Sequence, residues 1–313
     1  MITSLFKNTI IGYFLILFIS VGLWGFSFLE TDKEMMVSLN FAGESYEISK
    51  RIAIVISFFS TLISGFFLNN RLNKYLFSYD PNNLFLLFYM MIFSVELSNS
   101  SFLVYDIVSF LLIIFVYYLL SFITSKNDKN QVFNSAFLIG VLCFQNLFFI
   151  AFILLLIQNL STTRRVGFSE LTLILTGFLI PILLVLSLSF LTENYRLISS
   201  LWQLEFKTPV VTWQFIVFVS ISSVFSFLGF QLAANKRSGT DINTLMLINN
   251  LIVYFLVSLV VGIGSLFVFP QYYVVFLFTL PVSVFLSFYV LESSSRWKEL
   301  AFLALLALTF LLR

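Results

Sequence analysis

The sequence predicts an all-α, polytopic transmembrane helix bundle, and three observations predict it. Hydrophobic residues make up 60% of the 313 and charged residues only 10%, against about 45–50% and about 25% in a soluble domain. Apolar runs suited to a hydrocarbon core about 30 Å thick recur along the whole chain. Short polar turns separate these runs, and no stretch has the composition of a soluble domain. The expectation is a single integral membrane domain, 1–313, with about 11 segments, some of them short half-membrane helices.

The first segment is expected at 9–29, where the apolar run lacks a small-x-small cleavage site followed by a soluble domain and so reads as a retained helix. Further segments are expected at 52–68, 84–97 and 102–123. The stretch 133–160 is ambiguous. As one helix its 28 residues would run about 42 Å, longer than the bilayer. Gln145 and Asn146 fall at its centre, where amides facing lipid are costly, so it also reads as two short helices meeting at a polar turn. The later segments are expected at 170–191, 212–233, 244–264, 272–291 and 299–312.

Charge decides between the two readings of 133–160. With Met1 cytoplasmic and a hairpin there, eleven of the 17 Lys and Arg residues fall inside: Lys7, Arg71, Lys74, Lys126, Lys129, Arg164, Arg165, Lys236, Arg237, Arg296 and Lys298. With a single crossing the split is eight inside to nine outside. The positive-inside rule favours the hairpin, which puts the N-terminus in the cytoplasm and the C-terminus outside. The short runs 84–97 and 133–145 fit best inside the bundle, where protein covers their ends. Trp202, Trp213 and Trp297 fall at expected helix ends, as an interfacial belt requires. The 42 phenylalanines read as lipid-facing surface and helix packing.

The composition also narrows the chemistry. With no histidine, His-based acid/base catalysis and most zinc, copper and haem sites are excluded. The lone Cys143 lies in an apolar run and reads as a small core residue rather than a redox pair. A net charge of +2 without a basic stripe gives no footprint for nucleic acid. No resident metal or cofactor is expected.

Polar chemistry concentrates in two outward loops and two inner turns. The loop from Glu30 to Arg51 carries Glu30, Asp32, Glu34, Glu44 and Glu47 against three cations. Glu30-Thr31-Asp32 is suited to bind a divalent ion or to activate an acceptor hydroxyl. Asp106, inside the start of the fourth segment, is a second carboxylate at membrane depth, where an acid is expensive unless paired or wet. The second outward loop, Thr192 to Val211, is mixed in charge. On the inner face, Arg71 and Lys74 within Asn69–Lys74, and Arg164 with Arg165, are suited to lipid phosphates or plain topological anchoring. Gly177 with Pro181, and Pro270 with Pro281, mark possible helix kinks, and Asn249 and Asn250 read as bridges between helices.

Several runs carry a resemblance. Met1–Phe6, Leu68-Asn69-Asn70-Arg71-Leu72, Phe133–Gly140 and Leu175–Pro181 resemble an uncharacterised family of polytopic inner-membrane proteins from Bacteroidetes, over most of the chain. A more distant likeness is to the C-type glycosyltransferase superfamily, whose members move sugars from polyprenyl-phosphate donors at the outer membrane face. An acidic loop after the first helix, the run Ala136–Leu160 before a basic turn, a Gly-x-x-x-Pro helix and the stretch Gln271–Pro281 are similar to theirs. Gln271 stands where those enzymes often place arginine, and Glu30-Thr31-Asp32 replaces an Asp-x-Asp or a lone Asp.

These departures, and the poverty of polar groups, favour a non-catalytic subunit of a cell-envelope complex in the bacterial inner membrane. Its expected partners are the bilayer and other inner-membrane proteins. The alternative is a polyprenyl-phosphate-sugar-dependent glycosyltransferase acting at the periplasmic face. It would use Asp32 or Glu30 as base or metal ligand and Asp106 as second carboxylate, with a polyprenyl-linked lipid as partner and a divalent cation as a fitting cofactor. A transporter or lipid-handling protein ranks third, because mid-helix charges and internal symmetry are missing from the sequence.

Overall fold

A computed structural model describes residues 5–6, 9–30, 36–41, 44–77, 81–95, 111–119, 129–144, 147–163, 166–192, 213–235, 242–266, 272–293 and 297–311. The chain forms helices α1 (Ile10–Glu30), α2 (Lys50–Tyr75), α3 (Leu84–Val95), α4 (Lys129–Cys143), α5 (Phe152–Thr163), α6 (Phe168–Leu191), α7 (Trp213–Asn235), α8 (Ile242–Leu266), α9 (Tyr272–Glu292) and α10 (Trp297–Leu311). A further helical stretch covers 111–119, and a 3₁₀ turn, Leu147–Ala151, precedes α5. Each of the expected segments therefore meets a helix, and the fold is essentially all-α.

Four stretches are long and apolar enough to cross a membrane: Ile10–Leu29, Lys50–Lys74, Phe168–Leu191 and Leu245–Gly262, with mean hydropathies of 2.0 to 2.6. Their outward surfaces are greasy. On α1, Ile11, Phe14 and Phe18 are exposed, and on α6 only 17% of the stretch is buried in the protein. In water such faces would drive aggregation, whereas hydrocarbon matches them.

The core is built around helices that touch little else but protein. Every residue of α3 from Leu84 to Ser94 is buried, and α1, α2, α9 and α10 surround it. At 12 residues, α3 is about 18 Å long and too short to span alone. Its first turn is finished from within: Asn82 Oδ1 accepts the Leu84 amide at 3.1 Å, and the Asn83 amide donates to the Phe6 carbonyl at 2.7 Å. Such a short apolar helix is viable because protein partners satisfy its orphan donors. The run from Thr279 to Val290 of α9 is likewise buried, against α3, α7 and α8.

Aromatic rings join these layers. Phe302 of α10 sits between Phe6 and Phe88, with centroids 5.6 and 5.9 Å away. Phe152 meets Phe115 edge-on at 5.7 Å and Tyr254 at 5.5 Å, linking α5 to 111–119 and α8. Edge-to-face geometry at this spacing adds to the gain from burial itself. The phenylalanines thus divide as expected between packing and outward surface. Trp213 and Trp297 open α7 and α10, whereas Trp202 lies outside the described residues.

Small residues set the closest helix approaches. A Cβ on Gly140 of α4 would lie 2.5 Å from the Phe178 carbonyl oxygen and 2.6 Å from Pro181 Cγ of α6. Reciprocally, a Cβ on Gly177 would lie 2.7 Å from the Phe133 carbonyl oxygen. Gly229 of α7 seats the Phe285 carbonyl of α9 even more tightly. Backbones approach this closely where side chains are missing, the small-x-x-x-small mode of membrane helices. Pro181 therefore does not break α6, which runs unbroken from Phe168 to Leu191, and Pro281 likewise lies within a continuous α9. Pro270 lies outside the described residues.

Two features depart from the sequence reading or resolve it. Within the loop 30–51, strands β1 (Met36–Phe41) and β2 (Glu44–Ser49) pair antiparallel, with Met36 opposite Ser49 and Phe41 opposite Glu44. The loop was read by its charges, and the period-two alternation beneath them makes the hairpin. The ambiguous run 133–160 is divided: α4 stops at Cys143, Phe144 turns, and the 3₁₀ turn starts at Leu147. Gln145 and Asn146 themselves lie outside the described residues.

Candidate functional site

Among the polar side chains that the bundle encloses, three groupings join helical elements. The first lies between the end of α2 and the start of α3. Asn69 Nδ2 donates to Asn83 Oδ1 at 2.9 Å, and Asn73 Nδ2 donates to the Asn82 carbonyl at 2.8 Å. The Asn82 amide returns a bond to Asn73 Oδ1 at 3.0 Å. All four asparagines are buried. Their spacing explains the choice: Asn69 and Asn73 are four apart on α2, one above the other on the same face. Within the motif Asn69–Lys74, expected to meet lipid phosphates or to serve as a topological anchor, the buried Asn69 and Asn73 tie α2 to the start of α3.

The second place is the neighbouring surface of α2. The Arg71 guanidinium stacks 4.3 Å above the Tyr117 ring and also donates to its hydroxyl. Phe67 packs on the same ring at 4.6 Å. Arg71 is thus half-buried in a cation–π contact joining α2 to 111–119. Lys74, one turn on, is exposed.

The third place is deeper. Asn250 Nδ2 of α8 donates to Asn159 Oδ1 of α5 at 2.9 Å, and Asn159 Nδ2 donates to the Leu119 carbonyl at 3.0 Å. Asn159 is fully buried and Asn250 nearly so. This relay crosses three helical segments, and the expected bridging role of Asn250 is met there. A small cavity of about 10 Å³ adjoins it, lined by Val116, Leu119, Asn250, Leu251 and Tyr254. Nearby, Tyr254 lies beside Ser258, and the Tyr89 and Ser64 hydroxyls are 3.5 Å apart.

The carboxylate site expected from the sequence has only one described member. Glu30 is the last residue of α1, whereas Asp32 and Asp106 lie outside the described residues, as do Arg164 and Arg165. Glu170, a buried acid the sequence reading passed over, accepts the Gly167 amide at 3.0 Å and so finishes the start of α6. Among the described residues, no group of three His, Cys, Asp or Glu is placed to hold a metal ion. A shallow concavity of about 450 Å³ on α1, lined by Ile11, Phe14, Leu15, Leu17, Phe18 and Val21, is apolar throughout.

Sequence reading missed Asn159, Asn69 and Asn73 as internal ties. The available signal was an amide inside an otherwise apolar stretch, as at Leu155–Leu160, which at membrane depth demands a partner. No protein-family model matches the chain, and no curated protein or solved structure resembles it.

Proposed function

We propose that the chain is a multi-pass protein of the bacterial inner membrane that serves as a non-catalytic subunit of a cell-envelope complex, on a bundle similar to that of the C-type glycosyltransferases. The observation that carries this reading is how the enclosed polar groups are used. The pairs Asn69–Asn83, Asn73–Asn82 and Asn159–Asn250 each join two helical elements, and the Arg71 cation is stacked on Tyr117. These are the devices of a scaffold: polar groups bonded or stacked across the seams between helical elements. The outward face of α6, including Leu175, Leu183 and Phe190, is a surface on which lipid or a partner helix packs by van der Waals contact.

The test is purification of the tagged native protein in mild detergent, followed by mass spectrometry of what accompanies it. A stable, stoichiometric set of envelope proteins supports the reading and names the process served. A solitary protein retaining polyprenyl-linked lipid overturns it in favour of a periplasmic transferase. Substitutions Asp32→Asn and Asp106→Asn give an independent readout. They leave function intact in a scaffold and abolish it in a transferase that uses those acids for general-base or metal chemistry.

A further inference from the structure

We propose that the β1–β2 hairpin is an amphipathic element that lies on the lipid–water interface, with the bilayer surface as its partner. The inference goes beyond the subunit reading and rests only on its membrane placement of α1 and α2.

The strand register supplies the first observation. Directly opposed residues of an antiparallel pair share a face. The pairs Val37–Ile48 and Leu39–Tyr46 therefore fall on one face together with Phe41, and the pairs Ser38–Glu47 and Asn40–Ser45 fall on the other. The acidic exception on the apolar side, Glu44, occupies the last pair beside the turn, at the free end of the hairpin. Met36, the apolar exception on the polar side, occupies the first pair.

Where the hairpin is rooted supplies the second. Ser49 ends β2 and Lys50 begins α2, with no residue between them. Both strands also contact α2. The start of α2 is tied to the end of α1 by Arg51, whose guanidinium lies 5.2 Å from the centroid of the Phe28 ring. The hairpin thus leaves the bundle at the level where two adjacent membrane-length helices end. At that level their outward surfaces are apolar: Phe26 and Leu29 on α1, Ile52 and Val55 on α2. An apolar strand face rooted there starts at the same level as those apolar helix surfaces.

Energetics decides in the same direction. Two paired strands alone are marginal in water and need a hydrophobic cover. The membrane interface provides one, accepting apolar and aromatic groups on one side while leaving polar groups in water, as it does for amphipathic helices. Lys50 and Arg51 at the root place cations at headgroup level, where an anionic leaflet attracts them.

The experiment uses the full chain, carrying Cys143→Ala, in vesicles of phosphatidylethanolamine and phosphatidylglycerol. A nitroxide is attached at Leu39→Cys, Ser38→Cys or Phe18→Cys, and its collisions with oxygen and with a water-soluble nickel chelate are compared. The label at 39 is expected to favour oxygen severalfold more than the label at 38, and the label at 18, on the exposed face of α1, to favour oxygen as well. A label at 39 that meets nickel as readily as the label at 38 overturns the proposal, because the hairpin then stands in water. A label at 39 shielded from both reagents also overturns it, because protein then covers that face. If the label at 18 fails to favour oxygen, the membrane placement itself is wrong, and that failure is separable from the other two.

Discussion

Asn159 illustrates what a single amide does in an apolar bundle. Its Oδ1 accepts from Asn250 and its Nδ2 donates to the Leu119 carbonyl, so one side chain holds three helical segments. Interhelical bonds of this kind average about 0.6 kcal/mol and reach about 1.7 kcal/mol, because the helices find other partners when separated. Asn159→Leu and Asn250→Leu are each expected to destabilise the protein by about 1 kcal/mol. The double variant should cost less than the sum, and strictly additive losses in detergent unfolding would remove the pair from the account. Cys143, whose side chain is buried, should resist maleimide in the folded protein and react on unfolding. Rapid modification of the native protein would contradict that placement. The sequence made Asn250 legible as a bridge because it lies in a long apolar segment beside Asn249. It hid Asn69 and Asn73, because next to Arg71 and Lys74 they read as part of a solvated basic turn. Their burial comes from α3 packing over them, a contact between elements that local composition does not encode.

At the scale of elements, glycine contacts rather than hydrophobic area distinguish one helix pair from another. Any apolar face is at home in lipid, so specificity needs shape, and Gly140 against Phe178 and Pro181 supplies it for α4 and α6. Gly140→Val and Gly229→Val are each expected to cost about 1–3 kcal/mol by overpacking against backbone that cannot yield. Gly22 of α1 is the control, since a Cβ there meets nothing within 4 Å. Gly22→Ala should be neutral or stabilising by up to about 1 kcal/mol through helix propensity alone. Thermal unfolding of the three variants in one detergent checks the contrast, and valine variants that lose no more than Gly22→Ala would show that close contact does not govern these positions. Helix positions were legible because hydropathy changes sharply at each membrane boundary. The role of Gly177 and Pro181 was not, since a kink and a close contact look alike until the partner helix is known. The hairpin at 36–49 was masked by the acids scattered along it, although its alternation was in plain view. The carboxylate site stays a matter of sequence, because Asp32 and Asp106 lie outside the described residues.

For the whole molecule, the break between α4 and the following 3₁₀ turn is the point on which the threading depends. If the pieces on either side of Phe144 return the chain to the side it left, every later connection inherits that parity. The distribution of Lys and Arg agrees, eleven inside against six outside for the hairpin threading and eight against nine for a single crossing. Single cysteines on the Cys143→Ala background separate the two arrangements. Lys74→Cys at the end of α2 and Lys298→Cys at the start of α10 should react with an impermeant maleimide only from the cytoplasmic side. Thr192→Cys, just past α6, and Ser38→Cys in the hairpin should react only from outside. A single crossing would leave Lys74 and Ser38 unchanged but exchange Thr192 and Lys298, so the second pair carries the decision. An exchange would also put the Thr192–Val211 loop on the opposite face from the hairpin and Asp32. A joint outer site built from both loops would then be impossible. Should the hairpin threading hold, both loops share one face, and the subunit reading must be judged by what co-purifies with the protein there.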